Sequence, residues 1–168
     1  MSIIIEKFDL KTDTQRLISW VDSPKLNIIW ASKMFTFPLN ELQIKEHLQK
    51  ATNLGTLVFK VIHITNKSSQ VIGHAELEVI DKKVKISRLL IAKEHRGKGF
   101  GEQMMIALLK FIQKKYPNFK VYLTVFTFNK PAITLYKKLG FIEEKMDTNF
   151  MQYQGEIWDR LQMVLKEN

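Results

Sequence analysis

Arg96-Gly97-Lys98-Gly99-Phe100-Gly101 stands between an apolar run ending at Ile91 and a stretch in which Met105, Leu108, Leu109 and Ile112 recur at helical spacing. That order predicts a strand, a glycine-rich turn and a helix. The first N–H groups of a helix lack intrahelical partners, and the helix dipole adds partial positive charge there. Glycines let the main chain approach an anion with no Cβ in the way. The stretch points to a phosphate-bearing ligand, a pyrophosphate first. Read alone, it also fits a plain tight connection between strand and helix.

Upstream of the turn, 57–65, 71–80 and 84–91 read as strands separated by short polar turns, an antiparallel meander. Before them come an edge strand over 2–8 and helices over 13–22 and 40–52, the second carrying Leu42, Ile44, Leu48 and Ala51 near one side. Asn40 after Pro38 is a plausible cap, and Trp30 to Pro38 reads as an irregular aromatic segment. Downstream, the helix runs toward Pro117, and Phe119 to Thr127 is rich in β-branched and aromatic residues, as a strand would be. A helix over 130–139 follows, with Asn129 as cap, Pro131 in the first turn and Gly140 at its end. Phe141 to Lys145 and Ile157 to Leu165 read as the last strands. The order β-α-α-β-β-β-α-β-α-β-β predicts a mixed-sheet α/β domain. With no repeat, low-complexity tract or linker, residues 1–168 read as one domain.

Composition narrows the classes. With 168 residues, 45% hydrophobic and 26% charged, the chain can bury a real core. The absence of cysteine excludes a disulfide, a thiolate metal site and a cysteine nucleophile. No apolar run approaches a membrane span and residues 1–6 lack a signal-peptide pattern, so a cytoplasmic location is expected. The net charge of +9 suits an acidic partner, yet the lysines are scattered and no nucleic-acid motif accompanies them. His47, His63, His74 and His95 show no metal-ligand spacing, and no metal is expected.

A second block, Asn129-x-x-Ala132-x-x-Leu135-Tyr136-x-x-x-Gly140-Phe141, fixes several residue types at set distances. With it the chain resembles the GNAT-type N-acetyltransferases. The glycine turn matches that family's [Arg/Gln]-x-x-Gly-x-[Gly/Ala] acetyl-CoA motif, and 129–141 matches the motif that follows it. The likeness is strong over about 71–146. The resemblance implies a mostly antiparallel central sheet flanked by helices, and direct transfer from acetyl-CoA to a primary amine in a ternary complex. The amine would belong to a small molecule or a protein N-terminus. The length and Trp-rich opening are similar to the subgroup related to ribosomal-protein alanine acetyltransferases, and a homodimer is implied.

The resemblance also implies roles. Backbone amides of Arg96, Gly97, Lys98, Gly99, Phe100 and Gly101 would hold the pyrophosphate. The main chain of Leu89, Leu90 and Ile91 would pair with the pantetheine arm, and Asn129 would contact the cofactor. Tyr136 would protonate the leaving thiolate, while a strand N–H stabilises the oxyanion. Structural readings stand beside these: Tyr136 as a core tyrosine, Asn129 as a helix cap, Arg96 as a solvated loop charge.

The general base is unassigned. Relatives place a glutamate where this chain reads Lys85-Ile86-Ser87-Arg88 or Leu123-Thr124-Val125. Glu76 and Glu78 alternate with Ala75, Leu77 and Val79, and so share a strand face with His74. Either is a candidate base or acceptor contact; a solvent-facing polar row explains them as well. Trp20, Trp30, Phe35 and Phe37 would line an acceptor pocket or simply pack. His95 reads as a surface loop residue. A catalytically idle acyl-CoA-binding or sensor domain is the alternative function, with a basic nucleic-acid module behind it.

Overall fold

The computed structural model describes residues 2–166. Along them run β1 (Ser2–Lys7), α1 (Leu10–Trp20), α2 (Pro24–Ala31), α3 (Glu41–Asn53), β2 (Leu57–Ile64), β3 (Ser69–Ile80) and β4 (Lys83–Ile91). There follow α4 (Phe100–Lys115), β5 (Lys120–Phe126), α5 (Lys130–Lys138), β6 (Phe141–Tyr153) and β7 (Glu156–Leu165). The strands make a seven-stranded sheet in the order β1-β2-β3-β4-β5-β7-β6. Among the described residues only β4 and β5 pair in parallel, because α4 carries the chain back across the sheet between them.

The element order departs from the sequence reading by one helix, α2. Its signal lies at its start: Ser23 Oγ accepts the Leu26 N–H and Pro24 occupies the first turn. β6 also runs on to Tyr153 rather than stopping at Lys145. Its pairing with β7 continues to Tyr153↔Glu156, while its mostly exposed residues blur the alternation that would mark a strand.

Strand alternation gives each sheet face its own helices. On one side Met104, Met105, Leu108 and Ile112 of α4 join Val61, Ile72, Ala75, Leu77, Val84 and Ile86 in a buried core. Burying a side chain of this kind contributes about 1.5–3 kcal/mol. On the other side Leu17, Trp30, Phe35, Ile44 and Ala51 from the α1–α3 layer pack on Val58 and Leu90.

Two irregularities position the site. The β4–β5 ladder runs only from Lys83↔Lys120 to Ile86↔Leu123, so the rest of β4 has no strand on that edge. On its other edge, β4 slips register against β3 between His74 and Glu76, and Arg88 there has φ +48°. This is a β-bulge, which re-aims both backbone and side chain. Gly73 makes room beside it, since a Cβ would lie 2.5 Å from the Leu90 carbonyl oxygen.

Candidate active site

The turn from β4 to α4 has the geometry of an anion cradle. Gly97 and Gly99 adopt φ +73° and +77°, which favours glycine, and Gly99 caps α4. Arg96 N–H donates to Lys93 and Gln103 N–H to Gly99, but the N–H groups from Gly97 through Glu102 make no backbone hydrogen bond. Nothing lies within 4 Å of where a Cβ on Gly97 or Gly99 would project. The Arg96 side chain braces this arrangement, its Nε donating to the Ile91 carbonyl at 2.8 Å. Lys98 Nζ donates to Glu94 O at 2.9 Å. The two cationic side chains thus tie the turn to its own backbone.

Where β4 and β5 part, a cleft of about 180 Å³ opens. Leu89 and Leu90 of β4, Thr124 to Phe126 of β5, and Asn129 and Tyr136 line it. Leu90 and Ile91 pair with His74 and Gly73 of β3, leaving their opposite main-chain edge toward β5 without a strand. Asn129 caps α5, its Oδ1 3.4 Å from the Ala132 N–H, and it also lines the cleft. Tyr136 packs near Phe141, with ring centroids 6.0 Å apart, and faces the cleft. Burial alone pushes its phenol up to about 12, so the hydroxyl keeps its proton at neutral pH.

Two of the three residues in the polar row of β3 do not face solvent. His74 and Glu76 are sealed beneath the α1–α3 layer, Glu76 with no accessible surface. His47 Nε2 of α3 lies 2.9 Å from both Glu76 carboxylate oxygens, and His74 Nε2 lies 3.0 Å from Oε1. Arg88 Nε stands 2.7 Å from Oε2, an ion pair by distance whose N–H is not turned onto the oxygen. Burial pushes the Glu76 carboxyl up, but hydrogen bonds from His47 and His74 and the charges of His74 and Arg88 outweigh it. The group is held well below the usual carboxylate range. An ionised carboxylate with no accessible surface offers an amine no direct approach.

Glu78 is more open, but Arg88 Nη2 donates to its Oε1 at 2.7 Å and Lys85 Nζ stands 3.7 Å from Oε2. Arg88 is the junction: its guanidinium joins both glutamates, and its carbonyl accepts the Trp30 indole N–H at 2.8 Å. Trp30 thereby serves both readings, stacking on Phe35 in the core and lining the cleft. Phe37, by contrast, is 40% exposed. His95 is not a free surface residue; its ring lies 6.2 Å from that of Phe100 and its Nε2 is buried.

Comparison with known proteins follows the same lines. Residues 25–141 match the model of the acetyltransferase (GNAT) family. The chain is 37% identical over 75 residues to a probable spermine N(1)-acetyltransferase of Bacillus subtilis subsp. natto, covering 45% of this chain and 43% of that protein. It is 37% identical over 71 residues to an N-alpha-acetyltransferase of Sulfurisphaera tokodaii, covering 42% of each. The aligned stretch thus spans about two fifths of these curated relatives. In fold it is similar to spermidine N-acetyltransferase from Vibrio cholerae in complex with CoA and spermine. That match has a TM-score of 0.83 at 20% identity, over 98% of this chain and 96% of the other.

Proposed function

We propose, because the chain belongs to the acetyltransferase (GNAT) family, that it transfers the acetyl group of acetyl-CoA to a primary amine. The amine belongs to a small molecule or a protein N-terminus, and it attacks directly with both substrates bound. The observation that carries this reading is the succession of three features around one strand. The unpaired N–H groups of Gly97 to Glu102 follow closely in the chain on the strand-free edge of Leu89 to Ile91, and Leu89 and Leu90 of that edge line the same cleft as Tyr136. The first part suits a pyrophosphate, the second an amide-bearing arm that pairs like an added strand, the third a departing thiolate. Acetyl-CoA has these groups in this order, and it supplies the acyl carbon that the amine attacks. Residues 1–168 act together as one domain in this reading.

The relatives named as a probable spermine N(1)-acetyltransferase and as an N-alpha-acetyltransferase bracket the acceptor. A second reading, an acyl-CoA-binding domain without turnover, draws on one observation: among the described residues, no carboxylate lines the cleft. Calorimetric titration with acetyl-CoA, desulfo-CoA and ATP, then thiol release with amines and N-terminal peptides, separates the two. An enzyme binds acetyl-CoA and releases thiol faster with an acceptor. Binding without release under every acceptor supports the idle domain, and no binding rejects both.

Gly99→Val tests the cradle. The new side chain projects into the open space before the free N–H groups, and its φ of +77° is unfavourable for a β-branched residue. Stability should fall by about 1–2 kcal/mol. Acetyl-CoA affinity should fall at least tenfold, read by calorimetry on the folded variant. Equal affinity in variant and parent would return the turn to a structural role.

A further inference from the structure

A second cavity, of about 340 Å³, lies between α3 and the outer end of the β3–β4 hairpin. Phe35, Leu54 and Ile80 give it apolar walls; His47, Glu78 and Arg88 give it polar ones. Arg88 lines both this cavity and the β4–β5 cleft, so the two share one wall residue. We propose that His47, oriented by the sealed Glu76, takes the proton from an acceptor ammonium that arrives through this cavity. The inference rests on the acetyltransferase reading above and names the group that the cleft itself lacks.

The tautomer follows from the partners. Glu76 accepts only, so the nitrogen within 2.9 Å of both its oxygens, His47 Nε2, carries a hydrogen. The lone pair of neutral His47 is then on Nδ1. His47 lines the cavity, and its side chain keeps 11% exposure. His74 offers the contrast. Both rings pack edge-on against aromatics, His74 on Phe8 and Trp30 and His47 on Phe35, but only His74 has its Nδ1 buried without a partner. Of the two histidines on Glu76, only His47 meets a space that a ligand can use. With Nε2 on a buried carboxylate and the residue lining a cavity, His47 has the placement of an oriented general base.

The proton balance closes. Nδ1 of neutral His47 accepts one proton from the ammonium. The amine lone pair then forms the new C–N bond at the thioester carbon, and the C–S bond breaks. Tyr136 gives its proton to the leaving sulfur. The second proton lost by the attacking nitrogen restores Tyr136 through water. His47 releases its proton to solvent, the net product of acetylating an ammonium. The imidazolium formed in passing sits against the Glu76 carboxylate from β3. Also facing this region are His74 and Glu78 of β3, Arg88 of β4, and Glu46 and Lys50 of α3.

The apolar walls and limited size suit a small amine with a short apolar body, so 2-phenylethylamine is the probe. His47→Gln keeps an amide N–H for Glu76 and removes the basic nitrogen. In wild-type protein with labelled histidine, the probe should move the His47 ring resonances and leave those of His74 in place. That measurement needs no turnover; unmoved His47 resonances overturn the proposal. With an acceptor that supports thiol release, His47→Gln should lower kcat/KM about 10²-fold near pH 7. The deficit should shrink as pH rises, because solution then supplies the free amine. Parallel pH profiles, or an undiminished rate, overturn the role of His47 while leaving acetyl-CoA binding and the family reading intact. Failure of the wild type to bind acetyl-CoA overturns the parent reading instead.

Discussion

Tyr136→Phe should lower turnover by about 10²–10⁴-fold while acetyl-CoA affinity changes little. The substitution removes one oxygen and keeps the ring that packs beside Phe141 at 6.0 Å, so the fold has no cavity to absorb. What disappears is the proton held at the cleft. Because burial pushes that phenol up to about 12, the acid form is complete throughout an assay between pH 6 and 10. Tyr136 should therefore contribute no falling limb in that window, and the loss in the variant should be uniform across it. A rate loss of this size corresponds to about 3–5 kcal/mol of transition-state stabilisation. Steady-state thiol release and calorimetry on the same preparation check it. A loss below threefold would make Tyr136 a packing residue and leave thiolate protonation to water.

How far the chain announced this arrangement can be judged residue by residue. Gly140 was visible as a helix end that needs positive φ, and Gly97 and Gly99 as a turn without Cβ atoms; all three adopt positive φ. Asn129 was visible as a cap, and Asn40 likewise accepts the Gln43 N–H at 3.0 Å. Such features are local, so spacing records them. The bulge at Arg88 was not visible, since a positive φ at a non-glycine residue leaves no mark in composition. Strand alternation placed His74, Glu76 and Glu78 on one face but said nothing of what covers it. The cover comes from α1 to α3, and His47 lies 29 positions from the glutamate it binds. No period joins those two residues; only the packing of α3 on β3 does. The helix α2 could have been read from Ser23-Pro24, a capping signal masked by the aromatic run that follows.

The same network makes the stability of the protein sensitive to the buried Glu76. Arg88 holds an unusual backbone angle while its guanidinium bridges two carboxylates and Trp30 clasps its carbonyl. The segment that borders the cleft is thus fixed by polar contacts made beneath it. An enclosed carboxylate facing three cationic or donor side chains gains little net stability over a well-packed apolar design. Removing one partner is another matter, because it strands the rest in a low-dielectric interior.

Glu76→Ala should therefore cost about 3–5 kcal/mol, measured by denaturant unfolding at pH 7. Glu76→Gln should cost less, since its amide oxygen still accepts from the histidines while its NH₂ confronts Arg88. The pH dependence carries a definite sign. The carboxyl is held below its ordinary value near 4.5, so in acid the unfolded chain binds a proton that the native state refuses. The stabilisation is full above pH 4.5 and is lost as pH falls below it. Wild-type stability should slope downward there, and Glu76→Gln should lack that part of the slope. If Glu76→Ala costs under 1 kcal/mol and the acid slopes coincide, the carboxylate is not what holds Arg88 in place. Trp30 would then carry that task, and Trp30→Phe, which loses the 2.8 Å bond to the Arg88 carbonyl, would become the more damaging change.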